Sequence, residues 1–288
     1  MRVEGSGRRR YDAVRHRRHR RIRGPWSCRL PRRRRFRGES AGLGREQADL
    51  WHQSCHWAHR RHPTAVRPVS QGHACADRVR RHTSLLHVED VARHIDVVGT
   101  TLDDAAGECF DKVARLLGFP YPGGPHIDRH AQSGDPHAIK VPQGLTQGKA
   151  GRQHPYDFSF SGVKTAVARW IEQRQTAGLE IPVDDVCASL ADSVATVLAE
   201  KAMRGCEQYD SGTLIVGGGF SANSQLRAKL LEVGKERGVE VRVPRIKLCT
   251  DNGAMVAMLG VNLVEAGVKP STPDFPIDSA MPLTRISM

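Results

Sequence analysis

Cysteine is sparse and unpatterned in this chain. Its seven cysteines (Cys28, Cys55, Cys75, Cys109, Cys187, Cys206 and Cys249) are odd in number and show no Cys-x-x-Cys spacing, which excludes a disulfide framework and a zinc knuckle. They read instead as small buried hydrophobes in a reducing, cytoplasmic setting. Long apolar runs are missing too: no stretch approaches the roughly 18 residues a membrane helix needs, and no apolar h-region follows the N-terminal arginines. Neither a membrane partner nor a secretory signal is expected. An organelle transit peptide is excluded as well, because the arginine-rich start lacks an amphipathic apolar face and runs too long.

Acidic residues are scarce only upstream of Arg81. Residues 1–81 hold 23 of the 44 Lys and Arg against six acids, whereas residues 82–288 hold 21 against 25. The sequence pI near 9.9 therefore comes from one segment, which weakens the usual inference from a basic chain to a nucleic-acid partner. Up to residue 81 there is no helical or strand periodicity, only runs such as Arg15 to Arg23 and Arg32 to Arg37. One reading is a solvated basic arm that touches phosphates; another is a wrong-frame translation.

From His82 onward regular structure is predicted at once. Ser84 to Val88 and His94 to Thr100 read as paired strands. Asp103 to Leu117 reads as a helix with acids in its first turn, closed by Gly118. Pro120 to Pro125 is a turn, Ile127 to His137 a helix, Phe158 to Phe160 a short strand and Val163 to Gln175 an amphipathic helix. Val183 to Tyr209 is a long helix. Then come a buried strand (Thr213 to Val216), a glycine turn (Gly217 to Gly219), a helix from about Asn223 to Gly238, a strand (Val239 to Val243) and a last helix (Asn252 to Ala266). The alternation predicts an α/β fold with helices on the sheet faces.

Three segments have the residue types that chemistry requires. In Leu214 to Asn223 (LIVGGGFSAN), glycines between a strand and a helix start let the backbone approach a ligand and leave free N–H donors for an anion or a ribose; tight strand-to-helix packing also wants glycine. Asp111 and Asp128 flank the turn Tyr121 to Gly124, an arrangement suited to vicinal sugar hydroxyls, although both also serve as ordinary helix acids. In Cys249 to Met255 (CTDNGAM), Thr250 or Asp251 reads either as a plain helix cap or, for Asp251, as an oxygen ligand to a metal that needs partners elsewhere.

Taken in order, HTSLL (from His82), DDAAGECFDKVARLLG (from Asp103), YPGGPHID (from Tyr121), DFSFSGVKTA (from Asp157), VGGGFSAN (from Val216) and CTDNGAM (from Cys249) resemble the tRNA N6-adenosine threonylcarbamoyltransferase family, formerly called glycoprotease or O-sialoglycoprotein endopeptidase. The resemblance covers about residues 82–288. It implies the two-lobed α/β fold of actin, Hsp70 and the sugar kinases (the ASKHA fold), with residues 82–288 holding lobe II and the remainder of an incomplete lobe I. It further implies transfer of threonylcarbamoyl from threonylcarbamoyl-AMP to N6 of adenosine 37 in tRNAs reading codons that start with A. Asp111, Gly124, Asp128 and Asn223, with His82 and Thr83 as further candidates, resemble the residues that hold the adenylate. Asp251 resembles a ligand to one iron or zinc ion. The implied partners are tRNA, a paralogous subunit of the same fold and a small ATPase subunit, in the cytoplasm. No residue stands out as a general base.

The departures from the family pattern all lie upstream. The family's Asn-His-x-x-x-His motif, whose two histidines bind the metal from a helix ahead of the HTSLL position, has no counterpart there, and its Ser-Gly-Gly turn is replaced by Val79, Arg80 and Arg81. Reading codons 51 to 59 one base later permits Gly-Ile-Asn-His-Val-Ile-Gly-His-Ile, and the same slip at Asp77 to Arg81 permits Ile-Val-Ser-Gly-Gly. A slip at Arg23 to Arg29 permits Gly-Gly-Pro-Gly-Leu-Ala-Gly. The expectation is a frameshift repaired near codon 81, and little or no activity from the literal chain. Three other readings compete: an inactive scaffold paralogue, a tRNA-binding protein that uses the basic arm, and a sugar kinase of the same superfamily.

Overall fold

The computed structural model describes residues 83–92, 94–146, 148–249 and 252–269, together with the backbone of a strand at His73–Asp77. That strand, β1, corrects the expectation of no strand before residue 81. It pairs antiparallel with β2 (Ser84–Asp90), from His73 opposite Val88 to Asp77 opposite Ser84, and parallel with β4 (Thr213–Val216). Ladders on both sides consist of backbone N–H and C=O groups, so pairing holds the segment extended without a side-chain alternation to announce it.

β3 (His94–Thr100) pairs antiparallel with β2, and β5 (Glu240–Arg242) parallel with β4, giving the order β3-β2-β1-β4-β5. Side chains alternate across the sheet. Leu85 and Leu214 enter the large core, whereas Leu86, Val88 and Ile215 enter a smaller cluster on the other face.

The large core is built with α1 (Ala106–Leu116), α2 (Gly124–Ala131), α4 (Ser161–Thr176), α5 (Val183–Gln208) and α6 (Ser224–Arg237), and α3 (Gly148–Gln153) lies in the connection before α4. α7 (Gly253–Glu265) covers the smaller cluster through Leu259 and Leu263. Burying each of those leucines is worth about 1.5–3 kcal/mol. Among the described residues, no helix is long and apolar enough to cross a membrane.

Several expected boundaries move for identifiable reasons. α1 starts at Ala106, not Asp103, because Thr83 Oγ accepts the Ala106 amide (3.1 Å) and Asp103 bonds elsewhere. α2 starts earlier than predicted, with Pro125 in its first turn, where a missing N–H costs nothing. It stops at Ala131 instead of His137, because Asp185 takes the Asp135 amide (2.9 Å) and Ser189 the Ile139 amide (3.2 Å). Phe158 makes only an isolated bridge with Thr101, not a strand, and α3 was not anticipated. The cap of α7 is Asn252, whose side chain accepts the Met255 amide, in place of Thr250 or Asp251.

Candidate functional site

The glycine turn after β4 begins at Gly218, whose φ of 79° lies in the left-handed region that favours glycine. A 3-10 turn, Gly219–Ala222, carries the chain to Asn223, the N-cap of α6. Asn223 Oδ1 accepts the Leu226 amide at 2.8 Å, satisfying one of the free donors at the helix start. Its Nδ2 donates to Asp128 Oδ1 at 2.9 Å, and the Ser224 amide and hydroxyl donate to the same oxygen, each at 2.8 Å. A carboxylate from α2 therefore sits at the positive end of α6.

The other end of α2 is tied to α1. Asp111 Oδ1 accepts the Gly123 amide at 2.9 Å. A Cβ at Gly123 would collide with the Ala114 side chain, so glycine is what lets this turn lie against α1 and brings Gly124 to the head of α2. Phe110, next to Asp111, packs edge-on against Phe220 of the glycine turn, with centroids 4.7 Å apart and planes at 81°. Asp111, Gly124, Asp128 and Asn223, which come from three segments of the chain, are thus joined through α1, α2 and the start of α6.

The remaining candidates part company. Thr83 is buried, and its hydroxyl is engaged in capping α1. His82 and Asp251 lie outside the described residues. Among the described residues no group of three or more His, Cys, Asp or Glu could hold a metal ion, so they do not supply the expected iron or zinc site. Among the described residues one histidine pair has the i, i+4 spacing: His126 and His130 on α2. Both rings stack on Phe119, and His130 Nδ1 lies 2.6 Å from Asp184 Oδ1, so they brace α2 against α5.

Sequence reasoning missed a polar knot beneath the glycine turn. Arg227 Nε donates to the Ser221 carbonyl (2.5 Å), and its Nη2 donates to the Pro244 carbonyl (2.6 Å) and Cys249 Sγ (3.4 Å). Ser221 Oγ donates to the Gly218 carbonyl (2.6 Å) and lies 3.2 Å from the same sulfur. Ser221 and Cys249 are each 1 % exposed. One guanidinium fork therefore holds the glycine turn, the segment after β5 and the approach to residue 251 in register. An arginine four residues after a capping asparagine was the available signal.

Two further polar groups brace the surroundings. Asp103 accepts the Ser159 and Ser161 hydroxyls (2.5 and 2.6 Å) and the Phe160 and Ser161 amides (2.8 and 3.2 Å), which caps α4. Burial pushes its pKa up, but those hydrogen bonds outweigh it and hold the carboxyl below its ordinary value. Lys201 on α5 is 1 % exposed and donates to the carbonyls of Leu145 (2.9 Å), His154 (3.0 Å) and Asp157 (2.5 Å). Burial, aided by Arg204 and opposed by Asp157, pulls its pKa down to about 8.

Residues 80–258 match the family described as TsaD, tRNA N6-adenosine threonylcarbamoyltransferase. A protein of that name from Bifidobacterium adolescentis is 90 % identical over 207 residues, 72 % of this chain and 60 % of that protein. Its counterpart from Bifidobacterium longum is 87 % identical with the same coverage. The chain thus spans about 60 % of the length of these curated relatives. With the family's segments found in order and the match covering more than half of the sequence, this chain belongs to the tRNA N6-adenosine threonylcarbamoyltransferase family.

Proposed function

We propose that the described residues hold the adenylate of threonylcarbamoyl-AMP for transfer of the threonylcarbamoyl group to N6 of adenosine 37 in tRNA. The observation that carries the reading is that α2 links all four residues: Gly124 heads it beside Asp111 of α1, and Asp128, about one turn on, meets Asn223 at the start of α6. Carboxylate oxygens accept from ribose hydroxyls, and amides at a helix start donate to a phosphate. In the transfer, the adenosine amine attacks the carbamoyl carbonyl, the mixed anhydride breaks and AMP leaves. The contribution of these residues is positioning the adenylate. The four acceptors and donors of this constellation also weigh against an inactive scaffold subunit, which needs no ligand-binding set.

The sheet order β3-β2-β1-β4-β5, three antiparallel strands followed by two parallel ones with helices after β3, β4 and β5, is what supports one lobe of the actin, Hsp70 and sugar-kinase fold. The family metal, iron or zinc, would rest on Asp251 and on histidines from elsewhere; no step is assigned to it. The proposed setting is the cytoplasm, with tRNA, a paralogous subunit and a small ATPase as partners. The seam reading also stands as a proposal: residues 1–81 are wrong-frame sequence, and the literal chain transfers little or no threonylcarbamoyl. That the family match begins at residue 80 supports it. Resequencing the locus tests it, and an uninterrupted frame with ordinary codon usage through codons 15 to 81 would overturn it.

Calorimetric titration of the 288-residue chain with AMP tests the ligand reading. AMP should bind, and Asp128→Asn should weaken it about tenfold, the loss of one charge-assisted hydrogen bond. Absence of AMP binding by a folded chain would sink the reading.

A further inference from the structure

From residue 136 to residue 156, between α2 and α4, the sequence contains no acid, yet it has Lys140, Lys149 and Arg152 together with His137 and His154. Residues 82–288 as a whole hold 21 Lys and Arg against 25 acids, so this stretch is cationic within a region that is not. Lys140, Lys149 and Arg152 are exposed, and among the described residues none of them has an ion pair or a side-chain hydrogen bond. Unpaired surface cations are ordinary by themselves. What sets these apart is how firmly their backbone is held.

Side chains of α5 hold it, and they take main-chain groups. Ser189 Oγ accepts the Ile139 amide and donates to the Asp135 carbonyl, both at 3.2 Å, and Ser193 Oγ donates to the Pro142 carbonyl at 3.1 Å. Further along the same helix Lys201 Nζ donates to the Leu145, His154 and Asp157 carbonyls, and Arg204 Nη1 to the Pro155 carbonyl at 3.2 Å. Leu145 has a φ of 55°, in the left-handed region that leucine seldom adopts, and the Lys201 ammonium holds its carbonyl in that conformation. The segment is therefore a shaped strap, and its three exposed cations take no part in holding it.

The strap reaches the end of the sheet that carries the glycine turn. Gly144 lies so close to Ser159 that a Cβ would stand 2.1 Å from its carbonyl oxygen, and Ser159 Oγ donates to Asp103, just beyond β3. Ser84 pairs with both Asp77 and Thr100, and Ala76 pairs with Val216. The end of β3, the start of β2 and the glycine turn after β4 thus share one end of the sheet.

We infer that the strap from Asp135 to Asp157 is a phosphate track for the acceptor tRNA, with Lys140, Lys149 and Arg152 as its contacts. It rests on the tRNA reading above and not on the adenylate site. Cations on a fixed backbone that break no ion pair to bind suit a polynucleotide, because each phosphate they neutralise releases condensed counterions. Residues 1–72 hold 20 Lys and Arg against five acids, the wrong sign to cover a basic strap. Residues 270–288, with Asp274 and Asp278, are the competing occupant.

Residues 1–81 contain no lysine, so lysine acylation reads the strap without interference from the arginine-rich segment. The test acylates the folded 288-residue chain with and without an unmodified tRNA transcript that reads codons starting with A, and follows each lysine by mass spectrometry. Bound tRNA should slow acylation of Lys140 and Lys149 severalfold and leave the rate at Lys235, at the far end of α6 from the glycine turn, unchanged. Replacing Lys140, Lys149 and Arg152 together by alanine should lower the log–log salt slope of tRNA binding by about two to three and leave AMP affinity as it was. Bound tRNA with all three lysines equally reactive, or an unchanged slope in the triple variant, would overturn the inference without touching the tRNA reading; no tRNA binding by the folded chain would take both down. If Asp274→Asn and Asp278→Asn speed acylation of Lys140 and Lys149 in the absence of tRNA, the chain's own tail occupies the strap and the inference also fails.

Discussion

Asn223 Nδ2 donates to Asp128 Oδ1 at 2.9 Å across 95 positions of sequence, and that single oxygen also accepts the Ser224 amide and hydroxyl. Oδ1 therefore fastens α2 to the start of α6, and under the proposed function Oδ2 is the atom that would accept from the nucleotide. Asp128→Ala should cost about 1–3 kcal/mol, since it leaves buried donors unmatched. Asp128→Asn, which retains a carbonyl oxygen for those donors, should keep most of the stability while losing nucleotide affinity. Urea denaturation and AMP titration on the two variants separate the tasks; equal stability losses would contradict the division.

Arg227 should resist conservative replacement. Lysine offers a point charge where the structure uses a fork reaching the Ser221 and Pro244 carbonyls and Cys249 Sγ. Arg227→Lys should destabilise the chain by about 1–3 kcal/mol through the orphaned acceptors. It should also loosen the segment around Cys249, which is 1 % exposed. Alkylation under native conditions, followed by mass spectrometry of the Cys249 peptide, should find it protected in the parent and labelled in the variant. Equal labelling would show that the fork does not hold this segment.

How much of this was legible in the sequence follows from the range of the interactions involved. Helix periodicity and the glycine turn are local signals, and they located α5, β4 and α6 to within a residue or two. The family motifs supplied Asp111, Gly124, Asp128 and Asn223. That Asp128 and Asn223 touch is a tertiary fact with no local signature. β1 escaped detection because its order comes from ladders on both sides. α2 ended early because Asp185 and Ser189 of α5, some fifty residues away, take amides that a longer helix would have bonded. Lys201 was unreadable for the same reason, since its acceptors are backbone carbonyls.

Asp103 should make the chain acid-sensitive. Its folded pKa lies below the ordinary 3.8, so the folded state binds the proton more weakly than the unfolded state. The stability it contributes is fully present above the unfolded pKa and is lost as pH falls through the folded pKa. Asp103→Asn lacks this titration. The stability difference between parent and variant, measured by urea denaturation from pH 6 downward, should shrink once the pH drops below about 4. A difference that stays constant to pH 2 would remove Asp103 from the acid response.

Lys201 should give the opposite pH signature. Its pKa falls from an ordinary 10.5 to about 8 in the fold, chiefly through burial. Between those values the unfolded state holds more protons, so stability should rise with pH through this window and be flat with respect to Lys201 below about 8. The rise is of order 1–3 kcal/mol. Lys201→Met removes the titration and leaves the carbonyls of Leu145, His154 and Asp157 without their donor. It should therefore cost about 2–4 kcal/mol at pH 7 despite eliminating a buried charge. Because tyrosines, cysteines and other lysines titrate in the same range, the informative quantity is the parent-minus-variant difference in unfolding free energy from pH 7 to 10.5. That difference should widen with pH. If it narrows, the three carbonyls hold the ammonium more strongly than burial expels its charge, and the Lys201 pKa lies above its ordinary value.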